Sequence, residues 1–153
     1  MSDTITLELS IPSDNDGYVL LQCSHCGSLF KLKAESIDDD SILFIYCPSC
    51  GLISDNYLSD DAIDLAMAKT RNYALSLIQE SFKDLERKTK GKNFRFHKSS
   101  SIDKVEEKPI ITRVDMLTIA NFACCNRTAK IHPLIKFSCG YCPYCGVIDF
   151  DIK

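Results

Sequence analysis

The 153-residue sequence predicts an α+β fold in which two small β modules are joined by one long amphipathic helix. Three observations predict it. The stretch Cys47-Pro48-Ser49-Cys50-Gly51-Leu52-Ile53 returns almost a hundred residues later as Cys142-Pro143-Tyr144-Cys145-Gly146-Val147-Ile148. Around each copy lie short apolar-polar or β-branched runs of the kind that form strands. Between them, apolar residues recur at helical spacing from Ser59 to about Thr89. The elements divide the chain into an N-terminal module over 1–56, a helix over 57–91, a basic segment and linker over 92–109, and a C-terminal module over 110–153.

The first module starts with Thr4 to Ile11, which alternates apolar and polar and reads as a strand, ended by Pro12 and the turn Ser13 to Gly17. Tyr18 to Gln22 reads as a second strand and delivers the chain to Cys23-Ser24-His25-Cys26-Gly27. Glycine directly after the second cysteine supplies the positive φ that a metal-binding turn commonly needs. Leu29 to Lys33 leads away as a strand, Asp38-Asp39-Asp40 marks a solvated loop, and Ser41 to Tyr46 returns as a strand to Cys47 and Cys50. The resulting spacing, Cys-x2-Cys-x20-Cys-x2-Cys, is close to that of a four-thiolate zinc site, in which two turns converge and tetrahedral coordination closes the shell. This pattern resembles the zinc-ribbon group of modules over roughly residues 18–55. The resemblance implies Cys23, Cys26, Cys47 and Cys50 as ligands of one zinc ion. Rubredoxins share the same turns around iron, but this chain has no Trp and a shorter, acidic insertion between the pairs. A thioredoxin-like redox pair sits between a strand and a helix, whereas each pair here sits between strands.

The central helix begins at Ser59-Asp60-Asp61, a capping hydroxyl followed by two acids where the helix dipole favours them. Ile63, Met67, Ala74, Leu77, Ile78 and Leu85 fall on one side of a helix that Gly91 ends. At 1.5 Å per residue it is about 45 Å long, longer than either module. Its stripe is expected to pack against the core, with a dimer or partner-helix interface as the other reading. The helix end and the segment beyond it carry Lys88, Lys90, Lys92, Arg95 and Lys98 with Phe94 and Phe96 interleaved. Cations near a helix C-terminus are favoured by the dipole whatever the function, yet cations mixed with aromatics also suit single-stranded nucleic acid. Ser99 to Pro109 is polar and without periodicity, as a linker is.

In the second module Ile110 to Val114 is strand-like, and Met116 to Phe122 continues it or forms a further strand. Aligned with the first half, Cys125-Asn126 and Lys130-Ile131 match Cys26-Gly27 and Lys31-Leu32, so the C-terminal module is a second, degenerate ribbon. Phe122 stands where Cys23 stands in the first. Cys125, Cys142 and Cys145 remain as ligands, and a structural zinc site requires a fourth. Cys124, His132 and Cys139 are the candidates for it, and with one of them the chain would bind two zinc ions.

Charge and cysteine usage bound the function. Residues 1–60 carry two Lys/Arg against ten Asp/Glu, residues 61–98 nine against five, and residues 99–153 seven against six. The acidic first third argues against nucleic acid lying across it. Nine cysteines, most of them in Cys-x2-Cys pairs and at least one left over by the odd count, with no signal peptide and no membrane-length apolar run, point to metal in a cytoplasmic protein and not to a disulfide framework. No His-x-Glu near a Cys-x2-Cys pair, no His-Glu-x-x-His, no phosphate-binding Gly loop and no Gly-x-Ser-x-Gly occurs, so no enzyme, and no small-molecule substrate, is expected. The expected role is an adaptor that engages a protein partner or a second copy through a ribbon edge or the helix face. The alternative is nucleic-acid binding through residues 83–98.

Overall fold

The computed structural model describes residues 5–89, 103–111 and 116–153. The fold is α+β, with antiparallel strands in two small β modules and a long helix between them in sequence. Contacts gather the chain into two compact units, one of Ser10–Ala62 and Ile110–Lys153, the other of Met1–Leu9 and Ile63–Pro109.

The first of these units holds both β modules. Strands β1 (Tyr18–Gln22) and β2 (Leu29–Lys33) form one hairpin, and β3 (Thr118–Phe122) and β4 (Arg127–Ile131) form the other. A short helix follows each, α1 (Ala34–Ile37) after β2 and α3 (Pro133–Phe137) after β4. The hairpins join through β2 and β4 into a four-stranded antiparallel sheet of order β1-β2-β4-β3. A two-stranded ribbon, β5 (Gly140–Tyr141) and β6 (Ile148–Asp149), closes the second module.

The joint is close to two-fold. Lys31 lies opposite Lys130 across the β2–β4 pairing, and these are the residues that the internal alignment equates. Tyr46 N–H donates to the Pro143 carbonyl at 2.9 Å, and the equivalent Tyr141 N–H donates to Pro48 at 3.0 Å. Reciprocal contacts of this kind define an isologous interface, here formed within one chain. Each tyrosine ring lies over the glycine of the opposite module. A Cβ on Gly51 would come within 2.7 Å of the Tyr141 ring, and one on Gly146 within 2.8 Å of the Tyr46 ring. Both glycines have φ of +72°, so backbone conformation and space demand the same residue.

Two ammonium groups opposed at the joint require a counter-charge, and Asp14 provides it. Its Oδ2 lies 3.2 Å from Lys31 Nζ and 2.8 Å from Lys130 Nζ, and the three side chains are 14%, 6% and 12% exposed. Burial pushes the Asp14 carboxyl up, but the Lys130 ammonium, the Tyr18 N–H and Lys31 together hold it well below the usual carboxylate range. Asp16 adds a second carboxylate to Lys130 at 2.6 Å. Beneath this clamp the core is continuous across both modules: Phe30, Leu32 and Tyr57 from the first, with Phe122, Ile131 and Ile152 from the second. Phe30 and Tyr57 meet edge to face at 5.7 Å between centroids.

The second unit is organised by α2 (Asp60–Thr89), which starts within the first unit and continues through this one. Here its covered positions are Leu65, Asn72 and Leu75. Asn72 fastens an extended segment by donating Nδ2 to the Val105 carbonyl and to Glu107 and accepting from Val105 N–H, all at 2.7–2.8 Å. Lys69 Nζ donates to the Glu8 carbonyl at 2.7 Å.

Several expectations are corrected. The stripe read as the helix's core face is exposed: Ile63 39%, Met67 66%, Leu77 44%, Ile78 43% and Leu85 47%. The helix carries a second series, Ala62, Leu65, Asn72 and Leu75, at equally helical spacing, and that series is the buried one. Residues 5–11 form no strand, because the outer side of β1 is taken by Tyr57, whose carbonyl accepts Gln22 N–H, and by a bridge from Ser13 to Val19. Ser41 to Tyr46 forms only a single bridge, Tyr46 to Ile53, since the Tyr46 amide is spent on Pro143. Ile110 and Ile111 are not in a strand, and residues 112–114 lie outside the described residues.

Candidate metal centre

The first hairpin turn and the two later cysteine loops present their cysteines by the same local device. In the first module Gly27 N–H donates to the Cys23 carbonyl at 2.8 Å and Gly51 N–H to the Cys47 carbonyl at 2.8 Å. Positive φ at both glycines turns the chain sharply enough for successive amides to face the sulfur. The N–H groups of Cys26 and His25 are aimed at the Cys23 sulfur, and those of Cys50 and Ser49 at Cys47. The loop Cys142 to Gly146 repeats this, with Gly146 N–H on the Cys142 carbonyl at 2.8 Å and the Tyr144 and Cys145 amides on the sulfur.

Two clusters result. Cys23, Cys26, Cys47 and Cys50 bring their sulfurs within 4.8 Å of one another, and so do Cys124, Cys125, Cys142 and Cys145. Cys23 lies 3.8 Å from Cys50, Cys26 lies 3.6 Å from Cys47, and Cys124 lies 3.5 Å from Cys145, sulfur to sulfur. Four thiolates bound tetrahedrally at about 2.3 Å are separated by about 3.8 Å, so both clusters fit one metal ion each. Burial pushes the Cys47 and Cys142 thiols far up, and Cys125 up to about 11. For Cys23 burial acts in the same direction but is outweighed by the Cys26 and His25 amides, which bring it down to about 7. Desolvated thiolates of this kind need a cation, and binding one releases the protons that burial otherwise retains.

The second turn differs from the first in one respect. Phe122 occupies the position of Cys23 and is fully buried in the core. Cys124 takes the position that His25 holds in the first module and supplies the fourth sulfur next to Cys125. The turn tightens to allow it, with Cys125 N–H on the Phe122 carbonyl at 3.3 Å and Asn126 at φ +51°. Cys139 is exposed and outside both clusters. His132 is also outside them and caps α3, its Nδ1 accepting from Leu134 N–H at 3.3 Å. In the first module His25 stays clear of the metal cluster, its Nε2 3.0 Å from the Ile53 carbonyl.

Of the basic residues singled out for nucleic acid, Lys88 lies exposed in the last turn of α2. Lys90, Lys92, Phe94, Arg95, Phe96 and Lys98 lie outside the described residues. The Asp14 clamp and the crossed tyrosines were missed by sequence reasoning. Their signal was present in Tyr-Cys-Pro before each second turn and Lys at the same place in each hairpin.

No family model, curated protein or solved structure matches the chain. Fold and site together define a doubled β scaffold with two four-cysteine clusters able to bind metal. No helix among the described residues is long and apolar enough to cross a membrane.

Proposed function

We propose that the chain is a zinc-binding, non-enzymatic adaptor: two zinc ions staple the doubled β scaffold, and α2 offers a face to a protein partner. The zinc reading is supported by all-sulfur, four-coordinate sets of tetrahedral size, the arrangement of closed structural sites rather than of catalytic ones that keep a position for water. The observation that carries the partner reading is the exposed apolar stripe of α2, from Ile63 through Met67 and Leu77 to Leu85. An apolar helix face of that length in water is the feature that partner-binding surfaces share.

Metal analysis and affinity purification test the two parts. Two zinc ions per chain and a colourless preparation are expected; iron absorption, or fewer than two ions, overturns the metal reading. A protein co-purifying with the native chain and lost from Leu77→Asp, with zinc content unchanged, is expected. Retention on single-stranded DNA at low salt, abolished in a Lys88→Ala, Lys90→Ala, Lys92→Ala, Arg95→Ala variant, would replace a protein partner with nucleic acid.

A further inference from the structure

Resting on the reading of α2 as a protein-binding face, we propose that its occupant is a second copy of this chain, the two helices packed antiparallel about Ala74. The two ends of the stripe are symmetric about its small central residue: Ile63 and Leu85 stand eleven residues either side of Ala74. At about 100° per residue, Ile63, Met67, Ala74, Leu77, Ile78 and Leu85 share an arc of roughly 100°. All six are exposed. An antiparallel pair centred on Ala74 therefore sets Ile63 of each copy against Leu85 of the other, and the small Ala74 side chains meet where the helices approach closest.

Charge selects this orientation. The first turn of α2 carries Asp60 and Asp61, and its last turn carries Arg87 and Lys88. Asp60 and Lys88 lie fourteen residues either side of Ala74, Asp60 at one edge of the apolar arc and Lys88 within it, one turn beyond Leu85. Antiparallel packing places the acidic end of one helix beside the basic end of the other, twice by symmetry, and opposes the helix dipoles. Parallel packing stacks acid on acid and base on base.

Sedimentation equilibrium of the zinc-loaded full chain tests this, with oligomeric mass as the readout. A dimer is expected, and Leu77→Asp is expected to be monomeric with its helical circular dichroism and two zinc ions retained. Asp60→Lys alone should weaken dimerisation about two- to fivefold at low salt, the range of a rim ion pair. Asp60→Lys combined with Lys88→Asp should restore it, because only antiparallel packing rebuilds the pair. A monomer up to about 0.1 mM, where a micromolar interface is saturated, overturns the proposal, as does a dimer indifferent to Leu77→Asp. A double charge exchange that stays weak overturns the antiparallel arrangement. A monomer that still loses a co-purifying protein on Leu77→Asp overturns self-association and leaves the adaptor reading standing; a monomer that loses none overturns both.

Discussion

Gly51 and Gly27 have nearly the same backbone, φ +72° and +70°, but different surroundings, and the difference isolates the energy of the crossed-tyrosine joint. A Cβ on Gly27 meets nothing within 4 Å, whereas one on Gly51 meets three atoms of the Tyr141 ring at 2.7–2.9 Å. Gly27→Ala should therefore cost only the left-handed backbone, about 1–2 kcal/mol. Gly51→Ala should carry that cost and a further ~1–3 kcal/mol for displacing a ring that packs the two modules together. In a Tyr141→Ala background the ring is absent, so Gly51→Ala should fall back to the Gly27→Ala value, a coupling of about 1–3 kcal/mol. The assay is denaturant unfolding of wild type, the three single variants and the Gly51→Ala/Tyr141→Ala double variant under zinc excess, comparing midpoints at constant slope. Equal costs for Gly27→Ala and Gly51→Ala, or an undiminished cost without the Tyr141 ring, would refute the interlocked joint. Gly146 and Tyr46, at 2.8 Å, should repeat the pattern from the other side.

Three further outcomes are expected. Cys124→Ser should lower bound zinc from two ions to one, while His132→Ala and Cys139→Ser leave two, as read by metal analysis after gel filtration. Asp14→Ala should destabilise by about 3–5 kcal/mol at neutral pH, because it removes the shared carboxylate of two largely buried ammonium groups. Since the Asp14 carboxyl is held low, its contribution is present above the ordinary carboxylate value of about 3.9 and fades below it; acid unfolding of wild type and variant should converge there. Asn72→Leu should break three hydrogen bonds at once, at a local cost of about 2–4 kcal/mol, seen as faster amide exchange over residues 103–109.

Local chemistry was legible in the sequence and long-range choice was not. Three of the four cysteine turns were readable because Cys-x2-Cys followed by Gly encodes its own geometry, and Tyr18 to Gln22 and Leu29 to Lys33 were readable because each hairpin arm is short and bounded. Phe122 in place of Cys23 announced the altered second site. The helix start at Asp60 was equally plain, but its buried side was not. Periodicity shows that a stripe exists, yet α2 carries two, and only the tertiary structure decides that Leu65, Asn72 and Leu75 go inside while Met67 and Leu85 remain outside. The strand read into Ser41 to Tyr46 failed for a related reason: its backbone partner is Pro143, almost a hundred residues away, and nothing local specifies that.

The internal two-fold also accounts for why the second site tolerates its odd ligand set. In the first module Cys23 belongs to the sulfur cluster and to the core at once, fully buried just after β1. In the second module the two tasks are divided: Phe122 fills the core and Cys124, two residues on, supplies the sulfur from an exposed position. The joint's backbone hydrogen bonds and ion pairs run through Tyr46, Tyr141, Pro48, Pro143 and the Asp14 clamp, so they do not depend on which residue of the turn supplies the sulfur. Division has a consequence for the metal. The first cluster exposes Cys26 alone, whereas the second exposes Cys124 and Cys145. Ligand exchange with a competing chelator proceeds through accessible sulfurs, so the second ion should leave first. The scaffold would then still hold the first ion and the shared core, and the crossed tyrosines would tie the emptied module to the loaded one.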